Sequence, residues 1–279
     1  MKQLQHNTYT EERALFFAED VEVSHCVFEE GESPLKESRH VRMADCTFGW
    51  KYPLWYAEDV YVTRCLWRET ARSGVWYTRR ITVEDTCIEA PKTFRRAEDV
   101  RLHRVDMPHA AETLWHCARV EMEDVRAAGD YLGMNATDVT VRRLHLDGNY
   151  CFDGASRVLV EDSYLNSKDS FWNTTDVVVK GTTIIGEYLG WNSRNLTLID
   201  CTIESLQGMC YIDNLRLVNC RLVNTTLAFE YCTVDADIVG TVDSVLNPTA
   251  GTIRADHIGR LILEPDRVDP TRTRIIVKE

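Results

Sequence analysis

The chain has no apolar run approaching the roughly 20 residues a membrane span requires. Its first residues, MKQLQHNTYTEER, carry a single Lys2 with no apolar stretch behind it, so they do not read as a secretory leader. A cytoplasmic setting is the expectation. Basic residues are in deficit, 32 Lys and Arg against 44 Asp and Glu. The resulting net charge of −12 lacks the basic footprint that general nucleic-acid binding needs. Ten cysteines are present, yet no CxxC, no HxH and no Cys/His metal spacing, so neither a metal nor a cofactor is expected. There is no LxxLxLxxN frame and no apolar residue every five positions, which sets aside leucine-rich and pentapeptide repeats. No shift in composition marks a second domain.

What is present is one phrase repeated along the chain. Val21, Val41, Val60, Ile81, Val100, Val120, Val139, Val158, Val177, Leu196, Leu215, Val234 and Ile253 follow one another at spacings of 19 to 21 residues. The residue before each anchor alternates in sign: Asp20, His40, Asp59, Arg80, Asp99, Arg119, Asp138, Arg157, Asp176. The residue four after alternates in the opposite phase: His25, Asp45, Arg64, Asp85, Arg104, Asp124, Arg143, Asp162. Amphipathicity within one segment cannot produce this. Each copy must lie on the next, where stacked like charges repel and opposite charges attract.

The content of each repeat selects the kind of coil. Apolar residues recur at the anchor, two after it, five and seven after it, and six before it (Leu15, Leu35, Leu54, Val75, Phe94, Leu114). These make three short period-2 segments per repeat. The expectation is an all-β, single-stranded, right-handed parallel β-helix of about 12 coils, hexapeptide left-handed helices having a shorter period of about 18. One domain spans 1–279, with a lead-in over 1–14, regular coils over 15–235 and a closing coil and cap over 236–279. Cys26, Cys46, Cys65, Cys201 and Cys220 share the inward position five after the anchor and are read as buried free thiols.

The stretches GESPLKES, YPLWY, VWYT, KDSFW, EYLGW, LAFEYCTVDADI and SVLNPTAGTI resemble a bacterial family known only as domain of unknown function 3737, within the pectate-lyase-like β-helix class. The resemblance covers nearly the whole chain. It implies the fold and no activity.

Five of the seven tryptophans, Trp55, Trp76, Trp115, Trp172 and Trp191, share the position five before the anchor, where Lys36, Arg95 and Asp153 also occur, so this column is placed outside the core. Beside it stand Tyr56, Tyr77, His116, Asn173 and Asn192, a position that also suits a tight corner. Together with Arg95 these residues form the candidate binding face. Three readings remain open: rings that stack successive sugars, a protein interface including self-association, or rings that reinforce the sheet. The lead reading is a binding or assembly protein, its partner a second copy or an extended glycan. The alternative is a carbohydrate-active enzyme, a lyase or glycoside hydrolase, using Asp130, Asp153, Lys168, Asp169 and Glu187, with Glu230 a further carboxylate near the same face.

Overall fold

The computed structural model describes residues 1–278 as a parallel β-solenoid of about fifteen turns, with no α-helix among the described residues. Glu279, the last residue of the expected 236–279 cap, lies outside them. The chain divides into two units, Met1–Thr140 and Val141–Glu279.

In the first unit, strands Glu19–Ser24, Arg39–Ala44, Glu58–Thr63, Arg79–Ile88, Glu98–Met107 and Ala118–Glu123 pair in parallel and in order. The anchors stack as the periodicity predicts: Val21 on Val41, Val60, Ile81, Val100 and Val120. A second ribbon runs through Val27–Phe28, Thr47–Phe48 and Leu66–Trp67. The third apolar side is strand at Val75–Trp76 and Phe94–Arg95 and turn-like in the other coils. Inside, Phe28 stacks on Phe48 at 5.0 Å, and Trp67 meets Phe48 edge-on at 4.9 Å. The larger indole claims space from the adjoining coil. A Cβ on Gly74 would lie 2.6 Å from the Trp67 ring, so only glycine fits there.

The alternating charges stand on corners. Asp20, His40, Asp59, Arg80, Asp99 and Arg119 have φ of 50–55°, and His25, Asp45, Arg64, Asp85, Arg104 and Asp124 have φ of 48–56°. Left-handed backbone costs an L-residue on the order of 1 kcal/mol. Glycine would avoid that cost but would leave nothing to stack. Each corner arginine instead grips the aspartate of the preceding coil with two bonds: Arg64 on Asp45 at 2.9 and 2.8 Å, Arg80 on Asp59 at 2.6 and 3.0 Å, Arg104 on Asp85 at 2.5 and 2.8 Å, Arg119 on Asp99 at 2.7 and 3.1 Å. His40 fills the first basic rung, 3.4 Å from Asp20 and 3.5 Å from Asp59.

In the second unit, Val158, Val177, Leu196, Leu215 and Val234 stack in register. Its later corners replace ion pairs with an amide ladder. Asn195 donates to Asp176 at 2.7 Å, and Asn214 to Asn195 at 2.8 Å. The period then changes. Val234 pairs with Gly251, and Ile253, expected as the next anchor, lies on Ala236. The coil is two residues shorter because Gly251 brings its backbone against Val234, whose carbonyl oxygen would lie 1.9 Å from any Cβ. The irregular segment beyond is clasped by Asn247, which donates to Glu264 at 2.7 Å and accepts from its amide at 2.8 Å. All ten cysteines are free thiols, Cys87 half-buried and the others buried.

The paired arginines hold Asp45, Asp59, Asp85 and Asp99 below the ordinary aspartate range. Depressed carboxylates stabilise the fold fully above their unfolded pKa, near 3.9, and lose that contribution as pH falls through the folded value. The ladder's contribution to the urea midpoint should therefore be constant from about pH 7 to 5 and fall away below about pH 4. About 1 M NaCl, with a screening length near 3 Å, should shrink the fall. A midpoint indifferent to acid would remove the ladder from the stability of the protein.

Candidate binding face

The tryptophan column lies outside the core, but the rings lie down on the coil surface. Trp55, Trp76, Trp115, Trp172 and Trp191 are all half-buried. Four of their indole N–H groups donate to a backbone carbonyl of the next coil: Trp55 to Ser73 at 2.5 Å, Trp76 to Lys92 at 2.9 Å, Trp115 to Tyr131 and Trp172 to Tyr188 at 2.8 Å. In the first unit the rings also close on each other. Trp55 stacks on Trp76 at 5.3 Å and 8° between planes. The Arg95 guanidinium sits 4.6 Å from the ring centres of both Trp76 and Trp115. The tryptophan column thus becomes one continuous stack of ring, ring, cation and ring. The cation–π geometry offsets the burial of the Arg95 charge, whose Nε has no hydrogen-bond partner.

Beside the stack runs the corner row. Tyr56, Tyr77, His116, Asn173 and Asn192 have φ of 53–62°, so the position is a left-handed turn in every coil. Tyr56 stacks on Tyr77 at 4.8 Å and 7°. Phe17 and Tyr56 are the most exposed rings, at 61% and 49%.

The structure adds a groove along this row that the sequence reading missed. Its floor is small in each coil: Ala18, Ser38, Ala57, Thr78, Ala97. Its far wall is a further alternating, in-register row: Glu19, Arg39, Glu58, Arg79, Glu98. Two open sections of about 590 and 460 Å³ adjoin at Tyr56. The signal was in the repeat, three and two before the anchor. It gained meaning only once the corner was known to turn there.

In the second unit the stack is looser. Trp172 and Trp191 lie 6.0 Å apart at 37°, and Tyr211, from the corner row of the next coil, lies 4.6 Å from Trp191. Asn192 donates to Asn173 at 2.9 Å, and Asn173 to Asp153 at 2.8 Å. Four of the five sequence-derived catalytic candidates, Asp153, Lys168, Asp169 and Glu187, gather here. Lys168 pairs with Glu187 at 3.7 Å. Asp130 belongs to the first unit and is exposed. Glu230 accepts from Gln207 at 3.3 Å.

Asp169 stands apart. It is 1% exposed, and its Oδ1 has no hydrogen-bond partner. Tyr150 and Tyr188 occupy the same corner position in the neighbouring coils, so a short acid sits where large rings stand on either side. Burial pushes its carboxyl up, and repulsion from Glu187 and Asp153 adds to this. Lys168 and a hydrogen bond from Tyr150 oppose it.

For a metal, the described residues offer one group, Glu19, Asp20 and His40, whose ligating atoms lie within 4.8 Å of one another. All three are exposed, and the corner ladder already accounts for Asp20 and His40. No helix among the described residues is long and apolar enough to cross a membrane.

A family profile described as protein of unknown function (DUF3737) matches residues 2–276. No curated protein matches the chain. Among solved structures, it is similar to the surface adhesin PfbA of Streptococcus pneumoniae, with 7% identity and a TM-score of 0.46 over 99% of this chain and 84% of that one. It is also similar to the mannuronan C-5 epimerase AlgE4 A-module of Azotobacter vinelandii, with 13% identity and a TM-score of 0.31 over 98% and 87%. A third similarity is to the catalytic domain of a GH87 alpha-1,3-glucanase, with 10% identity and a TM-score of 0.39 over 99% and 63%. Likenesses this distant speak to the fold alone.

Because the Asp169 carboxyl is pushed up, the folded chain holds its proton more tightly than the unfolded chain. The stability this contributes is complete below the unfolded pKa, near 3.9, and is lost as pH rises through the folded value. Asp169→Asn cannot ionise. Relative to wild type it should gain stability between about pH 4 and pH 7.5, read by urea denaturation at both. An equal difference at both pH values would show that Asp169 ionises freely.

Proposed function

We propose that this chain, which belongs to the DUF3737 family of proteins of unknown function, is a non-catalytic binding or assembly protein that contacts another protein through the aromatic corner of its first unit. The observation that carries this is the closure of the aromatic stack on itself. A sugar binds an aromatic platform through the open ring face. Here Trp55 and Trp76 cover each other, Arg95 covers Trp76 and Trp115, and Tyr56 covers Tyr77. What reaches solvent is ring edges, the exposed corner residues Phe17 and Tyr56, and the charged groove beside them. Rings held by stacking lose little freedom on binding, and exposed aromatics beside a polar rim have the composition of a protein contact. The buried free thiols support the cytoplasmic setting.

Sedimentation at tens of micromolar should show self-association, and Tyr56→Glu should weaken it at least tenfold, about 1.4 kcal/mol, without altering the melting curve. A wild-type monomer at that concentration would sink self-association. Soluble oligosaccharides should leave the tryptophan emission unchanged, and a saturable change would return the first unit to the glycan reading.

A second reading rests on Asp169. A buried carboxyl whose titration is pushed up beside the carboxyls of Asp153 and Glu187 has the setting of a general acid. Under this reading the second unit cleaves an extended glycan. A polysaccharide panel should then release reducing ends or unsaturated products with wild type and not with Asp169→Asn. No product across the panel would end it.

A further inference from the structure

We propose that two stacked thiol pairs, Cys46 with Cys65 in the first unit and Cys201 with Cys220 in the second, each hold a soft monovalent cation, copper(I), in linear two-sulfur coordination. The site is separate from the aromatic corner and goes beyond the assembly role.

Both pairs stand in the inward column five after the anchor. Ala44 lies opposite Thr63 and Thr47 opposite Leu66, which sets Cys46 on Cys65. Ile199 on Val218 and Thr202 on Arg221 set Cys201 on Cys220 in the same way. All four are buried free thiols. A hydrogen bond from Cys65 pulls the Cys46 thiol below its ordinary value and holds the Cys65 proton in return, and Cys220 acts on Cys201 likewise. A spacing of 19 residues within each pair escapes any short metal motif.

The column's structural task does not need sulfur. At Thr86, Ser163 and Thr182 a hydroxyl accepts an amide N–H of the preceding coil at 3.0–3.2 Å and donates to the carbonyl two residues back at 2.7–2.9 Å. Cys65 does the same at 3.4 and 3.3 Å. Yet the cysteines of this column occupy adjacent coils, so that sulfur faces sulfur.

Separation decides what such a pair can do. In-register neighbours lie about 4.8 Å apart, beyond the roughly 3.5–4.5 Å between Cβ atoms that a disulfide spans. Two metal–sulfur bonds of about 2.3 Å placed in line reach roughly 4.6 Å, close to the coil spacing. Zinc asks for more ligands than a pair supplies, whereas a soft ion such as copper(I) is satisfied by two thiolates. On binding, two S–H bonds break, two sulfur–copper bonds form and two protons pass to solvent, with no change of oxidation state. The bridge then carries one negative charge. The Cys46 amide points its N–H at the Cys65 sulfur from 3.4 Å. The carbonyls two residues back, which lose a thiol donor, each keep an amide one: Ala44 from His25 at 3.1 Å, Thr63 from Asp45 at 3.2 Å, Ile199 from Gly181 at 3.0 Å and Val218 from Asp200 at 2.9 Å.

The test is retention of copper(I) against a chromophoric copper(I) chelator under nitrogen, the ion being supplied to native protein and also during refolding from urea. Wild type should keep about two ions per chain, Cys46→Ser or Cys201→Ser about one, and the double variant none. Serine suits this column, as Ser163 shows, and melting curves check the fold. Loss of Cys46 leaves Cys26 and Cys65 two coils apart, too far to bridge. Cys117→Ser, which removes a buried thiol outside the column, should behave as wild type. X-ray absorption should find two sulfur neighbours for each copper. A wild type that keeps no copper by either route overturns the proposal. So does a double variant that keeps as much as wild type, or copper held by three sulfurs or by nitrogen. Each of these outcomes leaves the assembly reading standing.

Discussion

Everything in this molecule depends on in-register backbone pairing between successive coils, which brings each residue within about 4.8 Å of the residue one period away. A side chain's nearest neighbour is then the residue in its own column, and each column must consist of groups that tolerate such company. The ways this chain solves the problem are physically distinct. Corner columns alternate Asp with Arg until they pass to Asn, whose amide both donates and accepts and so needs no alternation. Interior columns stack phenylalanines or small thiols. The groove floor stays small.

The same constraint bears on function. A column of exposed aromatic residues at coil spacing suggests a platform for a polymer, since each coil offers one ring. Yet rings brought that close satisfy one another first, and a face covered by its neighbour is closed to a ligand. Arg95 shows the tendency most clearly. Where the column lacks a ring, a guanidinium takes the vacant place between two indoles. What the column presents outward is a rigid edge, and recognition passes to the corner beside it.

The periodicity made the fold legible because the chain can be compared with itself. Anchors, inward cysteines and the outer placement of the tryptophans all follow from that comparison. Position in a column does not give side-chain direction. Whether Trp76 stands up or lies down is decided by its hydrogen bond to Lys92 and by Arg95 above it, both one coil away. Asp169 reads in sequence as one acid among 44. It is buried at a corner that the adjoining coils fill with Tyr150 and Tyr188, a setting that a residue-by-residue reading does not weigh. The misplaced Ile253 anchor has a similar origin, since one close backbone approach at Gly251 shortens the coil.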